Sequence, residues 1–195
     1  MKDIIKRHID EHQVVLNNLC NLSPIIEEIA LLMINALKNG NTIFWCGNGG
    51  SASDAQHLAG ELIGRFVGNR KPLKSISLLS GGAEGSCIAN DFGYDHVFSR
   101  QIEGLGVKDD VLIGISTSGN SQNVLNAFNQ ARNNGLKTIG LLGKGGGEAL
   151  SSTDKSVVID SFSTARIQEM HIIIGHILCD LIEVGLSLKN NNEKI

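Results

Sequence analysis

Apolar residues recur at two different spacings along this chain, and the changes between them outline its elements. Over residues 1–20, Ile4, Ile5, Ile9, Leu16 and Leu19 stand among polar neighbours in an imperfect helical pattern. Ser23-Pro24 has the chemistry of a helix start, a capping hydroxyl followed by a residue with no N–H to lose. It predicts a second helix through Ile25, Ile26, Ile29, Leu32, Met33, Ala36 and Leu37, stopped at Asn39-Gly40. Short apolar runs then alternate with helical patterns. Strands are predicted at Thr42–Cys46, Ser75–Leu79, Val111–Ile115, Lys137–Leu142 and Val157–Ile159. Helices are predicted at Asp54–Phe66, Gly81–Asn90, Asp95–Leu105, Gln122–Asn133 and Arg166–Leu188, before a polar tail, KNNNEKI.

Strand–loop–helix units repeated in this way predict an α/β fold with a mainly parallel sheet and helices on both faces. Neither a sequence repeat nor an internal linker interrupts it, so residues 1–195 read as one domain, with a helical segment over 1–40 and an α/β core over 41–195. Ligands in such folds bind at the carboxyl ends of the strands. The two N-terminal helices have apolar faces to bury, and another subunit is a plausible place to bury them.

Composition narrows the function classes. With 42% apolar residues, 19% charged residues and a net charge of −3, the balance is that of a globular protein without the basic stripe of a nucleic-acid binder. No run of about 20 apolar residues stands out as a membrane span, and the charged start MKDIIKRHIDEHQ is no signal peptide. Cys20, Cys46, Cys87 and Cys179 show no metal or CxxC spacing and read as reduced thiols. The expectation is a cytoplasmic protein with no nucleic-acid or membrane partner.

Two strand-ending loops carry glycine and hydroxyls. STSGNS supplies Ser116, Thr117, Ser118 and Ser121, with Gly119 letting the backbone approach a ligand. The following helix adds free N–H groups and a positive dipole end, so the loop reads as a phosphate anchor. The loop CGNGGSAS fits the pattern G-x-G-x-x-A, but the next strand ends SISLLSGG, without the carboxylate that a dinucleotide ribose requires. GKGGG at 143–147 reads as a flexible βα loop. His57 and Glu61, four apart, share one helix face and can hold a zinc or manganese ion, the plainer alternative being a surface ion pair. Arg65 lies one turn further on. Gln168, His171 and His176 interrupt the last apolar helix, where a histidine is usually a satisfied core or interface group. Gln168 and His176 are separated by a rise of ~12 Å, so either they flank one site or two subunits contribute to it. His8 and His12 read as a solvated or interface face, and Asn90-Asp91 as turn chemistry or sugar contacts.

With these residues in place, the sequence closely resembles the phosphoheptose isomerases of the sugar isomerase (SIS) domain superfamily. The stretches that carry the resemblance are CGNGGSASDAQHLAGELIGRF, ANDFGYDHVFSRQIE, GISTSGNSQNVL and TARIQEMHIIIGHILCDLIE. The resemblance implies a three-layer, five-stranded, flavodoxin-like parallel sheet and a homotetramer with sites at subunit interfaces. It implies conversion of sedoheptulose 7-phosphate to D-glycero-D-manno-heptose 7-phosphate, the first step toward nucleotide-activated heptose for lipopolysaccharide or capsule. It further implies one zinc per subunit held by His57, Glu61, Gln168 and His176, with the phosphosugar contacted by Asn48, Gly49, Gly50, Ser51, Asn90, Asp91, Ser116, Thr117, Ser118 and Ser121. Glu61, Arg65 and Gln168 would join these substrate contacts. Ala165 stands where some members have an acidic residue, so no role carries over there. An aldose–ketose shift needs a base at carbon and an acid at oxygen, which Glu61 and His176 would supply. The rival expectations are a non-catalytic tetramer that associates with the replication initiator DnaA, and a phosphosugar sensor. The retained quartet favours the enzyme over the first. The lack of an attached effector domain counts against the second.

Overall fold

The computed structural model describes residues 1–78 and 82–188. Leu79, Gly81 and the KNNNEKI tail, which figure in the expected elements, lie outside the described residues. Helices α1 (Lys2–Asn18) and α2 (Ser23–Lys38) are followed by β1 (Ile43–Gly47), α3 (Gly50–Ile63), β2 (Ser75–Ser77), α4 (Gly82–Phe92) and α5 (Ser99–Leu105). Then come β3 (Val111–Ser116), α6 (Gln122–Asn133), β4 (Lys137–Gly143), β5 (Lys155–Ile159) and α7 (Thr164–Gly185).

All strand pairs are parallel, in the order β2-β1-β3-β4-β5. This is the expected flavodoxin-like order, with its reversal at β1 and β3. Alternation along β1 divides the core in two. Ile43 and Trp45 point into a layer with α2, α3 and α7, whereas Phe44 and Cys46 point into one with α5 and α6. The sheet is therefore covered on both faces, which explains why its central strands read as continuous apolar runs. Burial pushes the Cys46 and Cys179 thiols up to about 12, so neither is a nucleophile near neutral pH.

The differences from the sequence reading that bear on the site lie at α3 and ahead of α5. Helix α3 begins at Gly50, four residues before the expected Asp54, because Gly49 turns the backbone at φ 57° and Ser51, Ala52 and Ser53 bond back to Asn48 and Gly49 carbonyls. It ends at Ile63, short of Phe66, because the N–H groups of Phe66, Val67 and Gly68 are drawn to Glu183 instead. Residues 94–96 form a separate 3₁₀ turn ahead of α5.

The helical stretch Lys2–Lys38 contains an 18-residue window of mean hydropathy 1.4, long and apolar enough by composition alone to cross a membrane. Its apolarity has another use. Ile26, Ile29, Ala30, Met33 and Ile34 of α2 are buried in the core. Helix α1 buries no residue, and Ile4, Ile5, Ile9, Val14 and Leu16 are exposed. Apart from Val15, which packs against the core, it is held by polar contacts. Arg166 of α7 donates to the His8 carbonyl (2.6 Å) and pairs with Glu169, whose carboxylate meets His12 at 2.7 Å. His8 and His12, read from sequence as a solvated or interface face, thus dock α1 onto the start of α7.

Candidate active site

Because β1 and β3 are neighbours at the reversal point, the two glycine–hydroxyl loops emerge side by side at the carboxyl edge of the sheet. Ser116 ends β3 and is buried. Its hydroxyl accepts the Gly119 N–H (3.1 Å) and bonds to the Ser121 hydroxyl (3.2 Å), so it shapes the loop. Ser118 Oγ accepts the Asn120 N–H at 3.1 Å. Ser121 stands at the N-cap of α6 without making a side-chain capping bond, which leaves first-turn N–H groups available to an anion.

The residues just past GKGGG, the loop read from sequence as flexible, buttress this turn. Ala149 N–H donates to the Gly119 carbonyl (2.9 Å) and Glu148 N–H to Asn120 Oδ1 (2.9 Å). Gly119 has φ 67°, and an added Cβ would overlap the Gly146 carbonyl. Gly119→Ala therefore combines left-handed strain with a backbone clash and is expected to cost about 2–4 kcal/mol. The urea midpoint measures this, and an unchanged midpoint would contradict the tight seating of the two loops.

Asn48, on the CGNGGS loop, forms a reciprocal amide pair with Asn123 of α6, both bonds being 2.9 Å. The Tyr94 hydroxyl donates to the same Asn48 oxygen at 3.0 Å. Asn48 thus ties the CGNGGS loop to the first turn of α6, the helix that follows the other loop. Sequence reasoning missed Asn123, since a polar residue in the first turn of a helix ordinarily reads as solvated. Gly49, Gly50 and Ser51 turn into α3 beside it, and the Gln168 side chain rests against Gly50. Asn90 and Asp91 are exposed in the last turn of α4, within the helix, with Asn90 Nδ2 donating to Asp91 Oδ1 at 2.7 Å.

Helices α3 and α7 run in the same direction. Gly50 faces Gln168, Leu58 faces Gly175, and the segment past Glu61 faces Glu183. This register brings His57 and Glu61 together with His176. One ligand atom from each lies within 4.8 Å of the other two. His57 Nε2 is 3.0 Å from Glu61 Oε1, and the His57 and His176 rings meet edge to face at 5.0 Å. Two imidazoles and a carboxylate at this spacing suit a zinc ion and leave further positions open, so the donor set fits the expected metal. Gln168 lies apart from the trio, near the start of α3, roughly two helical turns away. Arg65 is exposed past the end of α3 and donates to the Val67 carbonyl at 3.2 Å.

His171 belongs to the core. It is fully buried, with Nε2 on the Leu142 carbonyl (3.1 Å), and burial holds it down at about 4, so it is neutral at physiological pH. Asp54, one turn before His57, has its pKa raised by burial, an effect opposed by His57. Glu183 was not singled out from sequence. Its signal was an acid seven residues past His176, on the same face of an apolar helix.

Residues 8–143 match the family profile of the SIS domain. The chain is 48% identical over 189 residues to a phosphoheptose isomerase of Helicobacter pylori, covering 96% of this chain and 98% of the relative. A phosphoheptose isomerase of a Nitratiruptor species is 50% identical over 184 residues, covering 94% and 98%. Among solved structures, phosphoheptose isomerase GmhA from Neisseria gonorrhoeae superposes with a TM-score of 0.89 at 37% identity, covering 94% of this chain and 98% of that one.

Proposed function

This chain belongs to the SIS domain family, in its phosphoheptose isomerase branch, and from that premise we propose how its residues divide the work on sedoheptulose 7-phosphate. The observation that carries the reading is the meeting of His57, Glu61 and His176 on helices that begin beside the two glycine–hydroxyl loops. We treat residues 1–195 as one SIS domain, since α7 supplies both core and site.

Thr117, Ser118 and Ser121, with the α6 N-terminus and the turn at Ser116, grip the phosphate. Asn48–Ser51, Asn90, Asp91 and Gln168 contact the sugar, with Arg65 at its edge. Gripping the phosphate far from the reacting carbons supplies binding energy that can be spent on orientation there. Glu61 removes a proton from C1 of the open-chain ketose while His176 donates a proton to the C2 oxygen, giving a C1–C2 enediol. The proton held on Glu61 then returns to C2, and His176 takes the C1 hydroxyl proton, which leaves the aldose and restores both groups. The two Glu61 oxygens divide the duties, Oε1 facing His57 at 3.0 Å and the other serving carbon. His57, Glu61 and His176, joined by Gln168, would hold a zinc ion, one per subunit. Such an ion supplies Lewis-acid polarisation of the substrate oxygens.

A homotetramer with sites at subunit interfaces accounts for two observations. Helix α1 has an unburied apolar side, and Leu16, Ile26, Ile173 and Ile177 line a groove beside it. Gln168, apart from its own trio, would then complete a neighbour's site. A cytoplasmic location accords with the four free cysteines. The product would enter nucleotide-activated heptose synthesis. The retained trio and the named relatives favour this enzyme over a DnaA-associating scaffold.

The purified protein is expected to form an aldose 7-phosphate from sedoheptulose 7-phosphate. Activity should be lost on chelation and restored by zinc, as followed by chromatography of the sugar phosphates. No aldose product under any metal condition would overturn the reading.

A further inference from the structure

Behind the trio lies a buried construction that touches no ligand yet reaches both proposed catalytic groups. Glu183 is 0% exposed and the Arg70 side chain that pairs with it is 1% exposed. Glu183 Oε1 accepts the Phe66 N–H (3.0 Å) and Arg70 Nε (2.7 Å), and Oε2 accepts the Val67 (3.1 Å) and Gly68 (2.9 Å) N–H groups. Besides a bond to the Lys71 carbonyl at 3.2 Å, Arg70 turns its terminal nitrogens to the end of α3. One terminal nitrogen donates to the Glu61 carbonyl and the other to the Leu62 carbonyl, both at 2.8 Å. These are among the last carbonyls of the helix, which have no partner within it. Each contact is charge-assisted, and the side chains of the ion pair are themselves buried, which favours short, directional bonds. The backbone carrying Glu61 is pinned on one side of the clamp.

On the other side, the clamp sets Phe66. With its N–H fixed to Glu183, the Phe66 ring stacks on the His176 imidazole, with centroids 5.5 Å apart and an interplanar angle of 27°. The opposing restraint is the edge-to-face contact of His176 with His57 at 5.0 Å and 74°. An imidazole without such neighbours has a broad χ2 well and would turn its nitrogens away from Glu61. Held between two rings, it has one ring plane available.

We propose that Phe66, fixed by the Glu183–Arg70 pair, is a positioning residue that sets the ring plane of His176 toward Glu61 and His57. Glu183 and Arg70 orient the two proposed catalytic groups from outside the site. The inference rests on the isomerase reading for its kinetic readout, and on the trio alone for its metal readout. Outer residues that orient metal-binding side chains typically account for about 10- to 100-fold in affinity or activity.

The test compares full-length wild type, Phe66→Leu and Phe66→Tyr, with cobalt substituted for zinc. Leucine keeps the apolar contact of Phe66 with the core and removes the flat face, and tyrosine keeps the face. Phe66→Leu is expected to lower kcat about tenfold, leave KM within about twofold, shift the cobalt visible band and leave the unfolding midpoint nearly unchanged. Phe66→Tyr is expected to restore both kcat and the band. A Phe66→Leu protein with wild-type kcat and band would overturn the inference. So would a Phe66→Tyr protein as impaired as the leucine variant. Wild type that binds cobalt but does not turn over sedoheptulose 7-phosphate would overturn the substrate reading, and the band then decides the positioning role. Wild type that binds no cobalt would overturn the zinc site and this inference together.

Discussion

Glu61→Gln is expected to remove turnover on sedoheptulose 7-phosphate while leaving the fold and the assembly in place. Loss of a positioned general base costs roughly 10²–10⁴-fold, and the variant also gives up an anionic oxygen facing His57. The fold should tolerate the change. Glu61 keeps 23% and His57 49% of side-chain exposure, and a pair of this kind at i, i+4 contributes only about 0.3–0.5 kcal/mol. The amide has nearly the same shape as the carboxyl, so the Arg70 bond to the Glu61 carbonyl is undisturbed. Two measurements check this. Steady-state turnover should fall to background, and light scattering should give the same particle mass as for wild type. Turnover within tenfold of wild type would remove Glu61 from the role of base.

Glu183→Ala is expected to destabilise the protein by about 3–5 kcal/mol, because it strips a buried ion pair of one partner. Arg70 and the three N–H groups of Phe66, Val67 and Gly68 would be left without their acceptor. Against a total stability of about 5–15 kcal/mol this is a large share, and for a chain of this size it corresponds to a fall in Tm of roughly 10 °C. The pH dependence has a definite sign. Burial by itself raises the Glu183 pKa, but the backbone N–H groups and Arg70 outweigh it and hold the carboxyl below its ordinary value. A depressed folded value means that the stabilisation is complete above about pH 4.3, the unfolded value, and is lost as pH falls through the folded value. The difference in urea midpoint between wild type and Glu183→Gln should accordingly be largest near neutrality and shrink in acid. A difference independent of pH would show that the Glu183 charge is not what holds the 66–68 turn.

Much of the chemistry was legible locally. The runs IFWC, VLIGI and KTIGLL are apolar on both faces because the strands are covered on both faces, and that pattern survives in any order of strands. The hydroxyls of STSGNS and the i, i+4 spacing of His57 and Glu61 are likewise local facts. The bonds that Glu148 and Ala149, just past the 143–147 loop, make to Asn120 and Gly119 were not legible, because these partners lie more than twenty residues away in sequence. The end of α3 was misplaced for the same reason, since the acceptor that stops it lies on α7, 115–117 residues away.

The sequence by itself determined which residues form strands, which loops present glycine and hydroxyls after a strand, and which side chains have the chemistry to bind a metal. Each of these follows from neighbours within a helical turn or a strand pleat. Only the tertiary structure decided that α3 and α7 run side by side in a register that joins His176 to His57 and Glu61 and leaves Gln168 against Gly50. That register is fixed by contacts between residues more than one hundred positions apart, Leu58 on Gly175 and Glu183 on the turn after α3. No local periodicity encodes such a pairing, because either helix could present the same apolar face at several offsets.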